Sequence, residues 1–295
     1  MRRFSAEYLE HTRRGMWDDG REALADLELP TRRRVLDVGC GTGELTRVLA
    51  AEAPSDATVI GVDADRDLLA VARGAAESGA VEGETIDRAT VESEPADCET
   101  TDGTQTYLAG DATRLPISDD AVDLAVCQAL LINLPDPAAA VREFTRVSSD
   151  LVAAIEPDNA DVTVASTVPA EERLEREARE AYVDGVETDV ALGDRVRDAF
   201  AAAGLRDVRT RRYVHEKRTE PPYADAALTS AARKASGAGL ADHRDELVAA
   251  TSEHAYDDLR GRWREMGRAV VDAMRAREYE RVERVPFDVT VGRVD

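Results

Sequence analysis

The sequence predicts a three-layer α/β fold: a mostly parallel sheet of seven strands, helices on both faces, and a helical insertion between the sixth and seventh strands. Three observations lead there. From residue 31 onward, short apolar runs alternate with stretches of helical period, which implies parallel strands joined by crossover helices. The runs are apolar at nearly every position, as in strands covered on both faces. The last two strand-like runs are separated by about sixty-five residues of helical pattern where a hairpin would suffice, so that block covers something.

In chain order, residues 5 to 29 read as helix, broken near Gly15 and Gly20 and ended by Pro30. "RRVLDVG" is a short buried strand, and "GELTRVLAAEAP" is a helix with Leu45, Val48 and Leu49 on one face, stopped by Pro54. "TVIGVDAD" is the second strand, followed by a helix through Leu68, Leu69 and Ala72. Residues 81–105 are acidic and almost devoid of bulky side chains, which reads as a solvated, mobile insertion. "TYLAGDATRLP" and "AVDLAVCQALLINL" begin as strands three and four. Asp136 caps the next helix, with Pro137 at its first position and Val141 and Phe144 facing inward. "LVAAIEPDN" is strand five. One helix carries Leu174, Ala178 and Tyr182; another, "DRVRDAFAAAG", has Asp194 as cap and Gly204 as its stop. "DVRTRRYVHEKR" and the terminal "VPFDVTVGRV" are strands six and seven. Between them a long helix carries Tyr256, Leu259, Trp263, Met266, Val270 and Met274 as one apolar stripe. The expected organisation is an N-terminal helical cap (1–30), a core (31–219), a helical lid (220–285) and a final core strand (286–295).

The formal net charge is −22, and lysine occurs only at Lys217 and Lys234. Abundant carboxylates with almost no lysine suggest a halophilic protein, since in molar salt the screening length falls to roughly 3 Å and self-repulsion is damped. No run is apolar and long enough for a membrane span, and the basic start "MRRFSAEYLEHTRR" lacks the apolar core of a secretory signal. Cys40, Cys98 and Cys127 are far apart with no paired spacing, which fits a reducing cytoplasmic setting and gives no metal signature; Cys127 reads as a small core residue. His215, His243 and His254 have no metal-site spacing either. The arginine-rich "RTRRYVHEKR" is the one local basic patch; it reads either as a surface for an anionic partner or as counter-charge for surplus carboxylates.

The chemistry is concentrated in "VLDVGCGTGELTRVLAAE". Gly39, Gly41 and Gly43 give G-x-G-x-G, with Glu44 where a dinucleotide fingerprint would place its third glycine, and no G-K-[ST] follows. Both of those nucleotide motifs are excluded by spacing. Acid-x-G-x-G-x-G after a buried strand resembles motif I of the class I, Rossmann-like S-adenosylmethionine-dependent methyltransferases. Asp63 ends the second strand, in "VIGVDAD". "GDATRLPISDDAVDLAVCQALLINLPDP" is similar to the family's next two motifs, with Asp123 opening strand four. The resemblance spans roughly residues 31 to 218 and the final strand. It departs from the family where "RVSSDLV" replaces the usual Pro-Gly-Gly turn before strand five, and at the acidic insertion.

The resemblance implies S-adenosylmethionine as cofactor. It assigns Asp37 to the cationic methionine end, Gly39, Gly41 and Gly43 to the close backbone approach, and Asp63 with Ala64 to the ribose hydroxyls. Asp111 falls to the adenine amino group, Ala112 to a backbone contact, and Gln128 to the sulfonium side. The layout looks most like the small-molecule group that includes quinone and arsenite methyltransferases; "CQAL" after strand four lacks both the Asn-Pro-Pro-Tyr of amino-methylating members and the Pro-Cys of cytosine-methylating ones. By position the acceptor pocket draws on Tyr8, His11 and Trp17 and on Glu156, Asp158 and Asn159 beyond strand five, with Glu156 and His11 as candidate catalytic groups. Each of these residues has a packing or surface reading as well. Two other functions stay open at this level: a methyltransferase acting on tRNA or protein with the helical insertion as docking surface, and a non-catalytic cofactor-binding partner. The acceptor, the atom methylated and the oligomeric state are not specified by the sequence.

Overall fold

In the computed structural model, residues 5–13, 16–17, 20–82 and 105–295 are described. The acidic segment expected to be a mobile insertion lies, from 83 to 104, outside them, together with Cys98. The side chains of Tyr8 and His11 are likewise outside the described set.

The sheet is built from β1 (Arg34–Val38), β2 (Thr58–Asp63), β3 (Gln105–Ala109), β4 (Val122–Gln128), β5 (Ser148–Pro157), β6 (Thr163–Ser166), β7 (Arg206–Thr219) and β8 (Arg281–Arg293). Its order is β3-β2-β1-β4-β5-β8-β6, with β7 also paired to β8. The first five strands are parallel, and β8 runs antiparallel to β5, β6 and β7. All seven expected strands are present, and β6 is an eighth. It is only four residues long, and half of it is solvent-facing, so it carries no apolar run to announce it. β8 begins five residues before the apolar segment at 286, because Arg281–Val285 pair with β6 and β7 despite three charged side chains.

Two apolar layers sandwich the sheet. Leu36, Val38, Ala125, Val152 and Ala154 face α4 (Pro137–Val147) and α6 (Val196–Ala202), where Phe144 and Phe200 are fully buried. Val35, Leu124, Val126, Ala153 and Ile155 face α2 (Glu44–Glu52) and the N-terminal segment. Neighbouring residues of one strand therefore point into different cores. Each Val, Leu, Ile and Phe among them contributes about 1.5–3 kcal/mol by burial. Asp136 accepts from Ala139 N at 3.0 Å and caps α4, with Pro137 in its first turn. The expected cap at Asp194 does not form: that residue lies in a 3-10 turn, and α6 starts at Val196 without a side-chain cap. The N-terminal segment is one helix, α1 (Ala6–Arg13), followed by 3-10 turns at Arg21–Leu27 and Leu29–Thr31.

α3 (Arg66–Glu82) packs on β3. A third core joins α5 (Pro169–Gly185) to α7 (Asp225–Ser236), α8 (Ala238–Ala241), α9 (Arg244–Ala250) and α10 (Glu253–Ala276). The apolar stripe of α10 is buried in it from Tyr256 to Met274. At Gly267 that helix approaches α7 backbone to backbone: a Cβ there would lie 2.3 Å from Lys234 C and Ala235 N. No helix among the described residues is long and apolar enough to cross a membrane.

Candidate functional site

The turn after β1 is held open by backbone, not by side chains. Gly39, Gly41 and Gly43 all have φ between 55° and 75°, a region in which a Cβ is strained. Gly39 N and Cys40 N donate to Val62 O at 2.7 and 3.0 Å, locking the turn to the end of β2. Gly41 N donates to Asp63 Oδ2 at 2.8 Å, and Asp65 N donates to Oδ1 at 2.8 Å. Asp63 is thus fixed by one amide on each oxygen, with lone pairs left for hydroxyl donors. A Cβ on Gly41 would meet Leu9 Cδ1 at 2.9 Å and approach Arg13, so the cradle has no room for a side chain.

Asp37 lies beneath this turn, 1% exposed, and accepts from Thr46 Oγ1 at 2.6 Å. Burial pushes its carboxyl up to about 6, against the opposing pull of the Thr46 hydroxyl and Arg13. A cation placed nearby would restore its charge. Gln128, at the end of β4, donates from Nε2 to Met16 Sδ at 3.0 Å, while its buried Oε1 has no partner among the described residues. Arg13 Nη2 donates to Gln128 O at 3.4 Å.

Gly39, Gly41, Asp63, Ala64 and Gln128 line one cavity of about 1160 Å³. Asp37 and Gly43 are behind its wall. Asp111 does not reach it: the residue is exposed at the end of β3 and accepts from Thr113 N at 2.8 Å and Thr113 Oγ1 at 2.7 Å, which hold its carboxyl below the usual range. Ala112 is buried in the apolar core beside Leu115.

The acceptor residues expected beyond β5 divide sharply. Glu156 is fully buried and faces away from the cavity. Its Oε1 accepts from Leu130 N and Leu131 N at 3.0 and 2.9 Å, and Oε2 from Ile132 N at 3.3 Å. Burial raises its carboxyl to about 7 despite these three amides. Glu156 therefore anchors the 129–132 turn and cannot meet an acceptor. The alternation along β5 explains it: Ile155 and Pro157 point to one face, Glu156 to the other, and Pro157 is the one that lines the cavity. Asp158 is turned to Arg212, 3.1 Å away, while Asn159 lines the cavity and donates to Val190 O at 2.7 Å. Trp17 is a core residue stacked on Tyr213 at 6.4 Å between centroids, outside the cavity wall. Tyr8 and His11 carry no described side chain, but their neighbours Leu9, Thr12 and Arg13 on α1 do line the cavity.

Sequence reasoning missed the other wall. It comes from β8, where Arg281, Glu283, Val285 and Phe287 point inward at every second position, from Lys217 and Thr219 on β7, and from Arg179, Tyr182, Lys234, His243 and Trp263 on the helices. The period-two pattern of "RVERVPF" is the signal that could have found it. The basic patch is largely consumed by the protein itself. Arg211 and Arg209 pair with Asp26 at 2.9 and 3.5 Å, Arg212 with Asp288 and Asp161 at 2.7 Å, and Arg218 with Glu216.

Residues 36–150 match the family described as a methyltransferase domain. A demethylmenaquinone methyltransferase from Lactiplantibacillus plantarum is 30% identical over 127 residues, 43% of this chain and 45% of that protein. An uncharacterized methyltransferase from Schizosaccharomyces pombe is 30% identical over 115 residues, 39% of this chain and 36% of that protein. The matched segment thus spans less than half the length of these curated relatives. The crystal structure of the YcgJ protein from Bacillus subtilis superposes with a TM-score of 0.52 at 16% identity, covering 93% of this chain and 99% of that one, which extends the shared fold beyond the matched segment. With the glycine turn, the acid of β2 and the wall of β4 all inside residues 36–150, that segment is similar to a class I, Rossmann-like methyltransferase domain and resembles the quinone methyltransferases.

Proposed function

We propose that the chain transfers a methyl group from S-adenosylmethionine to a small-molecule acceptor enclosed in the same cavity. The observation that carries this reading is continuity. One cavity of about 1160 Å³ joins Gly41 and Asp63 at the strand ends to Lys217 and Trp263 at the helical layer, and it exceeds the roughly 300–1,000 Å³ that a single small ligand occupies. The residues present fit the cofactor: a turn that a Cβ would fill, a carboxylate preset for hydroxyl donors, and an orphaned buried amide oxygen at Gln128.

When bound, S-adenosylmethionine supplies a methyl carbon on a cationic sulfur, open to in-line displacement. In this reading Asp63, with Ala64 beside it, accepts from the ribose hydroxyls, and Asp37 offsets the positive methionine end. Asp111 and Ala112 lie outside the cavity wall, so the adenine would meet Asp111 only by reaching past Asp63, and Gln128 would face the reacting centre. The β8 wall and the helical layer, acting as a lid between a core and an N-terminal cap, exclude water and orient the acceptor. Orientation can contribute about 7–11 kcal/mol to such a step in favourable cases. Glu156, turned away from the cavity, would take no proton from the acceptor. The internal pairing of the arginine patch leaves little free positive surface for RNA, which favours the small-molecule reading over a tRNA one. The net charge of −22 further supports a protein working in concentrated salt; its unfolding midpoint should rise with molar KCl, and an unchanged midpoint would count against that.

Isothermal calorimetry with S-adenosylhomocysteine tests the core of this reading. Affinity should fall about 100-fold in Asp63→Ala and Gly41→Val, since each loses charge-assisted or close backbone contacts of about 1.5–3 kcal/mol. Unchanged affinity in both variants overturns it.

A further inference from the structure

We propose that the acceptor carries an anionic oxygen group, a carboxylate or a phosphate monoester, held at the far end of the cavity by Lys217 and Arg179. This rests on the reading of the cavity as a methyl-acceptor site.

The first observation concerns the rarest residue. The chain has two lysines among 38 cationic side chains, and both line this cavity. The second is the local charge balance. Arg179, Lys217, Lys234 and Arg281 gather around Glu171, Glu175 and Glu283, with the exposed Glu180 also in the field of Arg179, so the cations are not outnumbered here in a protein whose carboxylates otherwise exceed them 60 to 38.

The close pairing is uneven. Lys234 pairs with Glu171 and, at 2.7 Å, with Glu175. Arg281 lies 3.4 Å from both Glu175 and Glu283 and 3.6 Å from Glu171. Lys217 and Arg179 have no carboxylate within 4.0 Å among the described residues. Arg179 gives Nη1 to Val162 O at 2.8 Å, and Lys217 shares the more distant field of Glu283 with Arg281. Burial lowers the pKa of both Lys217 and Arg179, the mark of a charge that the surrounding protein does not fully compensate. A half-buried cation without a counter-ion is costly, and an anionic ligand removes that cost.

A separate observation points to the body of the ligand. Trp263 lines the cavity beside Leu240, Leu247 and Met274, and its buried indole Nε1 has no partner among the described residues. The cavity therefore takes an apolar, ring-sized body with a charged head, and offers one further N–H donor to it.

Two fluorescent probes isolate the charge. 8-Anilinonaphthalene-1-sulfonate and N-phenyl-1-naphthylamine share an aromatic body and differ by the sulfonate. At one fixed KCl concentration the chain should bind the sulfonate at a single site at least ~10-fold more tightly than the neutral dye. Lys217→Met should weaken the sulfonate ~10-fold and leave the neutral dye within ~2-fold; Lys217→Arg should restore the preference. Displacement by benzoate or by phenyl phosphate then assigns the head group as carboxylate or phosphate, whichever competes at lower concentration. Equal affinity for the two dyes in the native chain, or parallel loss of both in Lys217→Met while S-adenosylhomocysteine still binds, overturns the proposal. Failure of the native chain to bind S-adenosylhomocysteine while the sulfonate preference holds overturns the methyltransferase reading instead.

Discussion

At the strand ends the cavity wall is main chain: three glycines with positive φ, amides donating to Val62 O and Asp63, and a carboxylate with both oxygens already in place. At the far end it is side chain, with Lys217, Arg179, Lys234 and Arg281 arriving from β7, α5, α7 and β8. The first end is fixed by the geometry of one strand-turn-helix unit, so it suits a ligand that never changes. The second is assembled from side chains on elements distant in sequence, so it suits a ligand that defines a particular protein. A backbone-built site binds a common cofactor; a side-chain-built site gives specificity.

The largest expected effect separates the two ends physically. Gly267→Val forces a side chain into the backbone of α7, which cannot yield, so the helical layer should lose more than about 2 kcal/mol of packing. Thermal unfolding should show an early transition, and the sulfonate probe should cease to bind. S-adenosylhomocysteine affinity, measured by calorimetry, should stay within ~3-fold, since the glycine turn and Asp63 lie in the sheet. Parallel loss of both ligands would break the comparison and make the cavity a single cooperative unit.

Next in size is the ionisation of Asp37. Its folded value of about 6 exceeds the ordinary 3.8, so the protonated carboxyl is favoured in the folded state. Stability is therefore lost as pH rises from about 4 to about 6, by about 3 kcal/mol in all, and stays lost above. Asp37→Asn removes this loss while the amide oxygen still accepts from Thr46. Urea titrations should show the variant gaining on the native chain between pH 4 and 6 and holding a constant advantage at pH 7–8. The same variant should bind S-adenosylhomocysteine and S-adenosylmethionine more weakly, with the greater loss for the cationic one. A native chain whose stability tracks the variant at every pH would show that Asp37 ionises freely.

This contrast also decides what was legible beforehand. The turn at Gly39, Gly41 and Gly43 and the acid at Asp63 are local in sequence, and all but Gly43 are found at the cavity. Glu156 was misplaced because β5 is apolar on both faces: alternation is invisible where Ala154 and Ile155 are equally buried, so the sequence does not say which side the carboxylate takes. Trp17 was a core residue for a similar reason, since an amphipathic aromatic suits a cavity wall and a packing layer alike. The rarity of Lys217 and Lys234 was plain, but rarity carries no coordinates. Their meeting depends on β7 pairing with β8 over twelve positions from Arg206 to Thr219 and on α7 packing against α10, contacts that no window of sequence contains.

Smaller effects sharpen the boundary between the ends. Glu156→Gln keeps one oxygen for Leu130 N and Leu131 N but sets an amide donor against Ile132 N, at a cost of about 1–3 kcal/mol. Because burial raises the native carboxyl to about 7 from 4.5, the native chain itself loses stability as pH climbs through that window. The deficit of the variant should therefore be greatest near pH 5 and shrink toward pH 8 in denaturant titrations. A pH-independent deficit would show that the native carboxyl is charged throughout.

The smallest effect tests how far the backbone-built end extends. Asp111 is exposed and held by Thr113, away from the cavity wall, yet Gly110 N donates to Asp63 O at 3.0 Å and ties the end of β3 to the end of β2. If the adenine reaches past Asp63 to this carboxylate, Asp111→Ala should weaken S-adenosylhomocysteine about 3- to 10-fold, the size of one solvent-accessible charge-assisted hydrogen bond, with no change in thermal midpoint. Replacing the ligand's adenine by hypoxanthine, whose ring offers no amino donor, should produce the same loss in the native chain and none in the variant. Non-additivity in that cycle places the adenine edge at Asp111, whereas full additivity confines the cofactor site to β1, β2 and β4 and leaves Asp111 as the carboxylate that shapes its own turn.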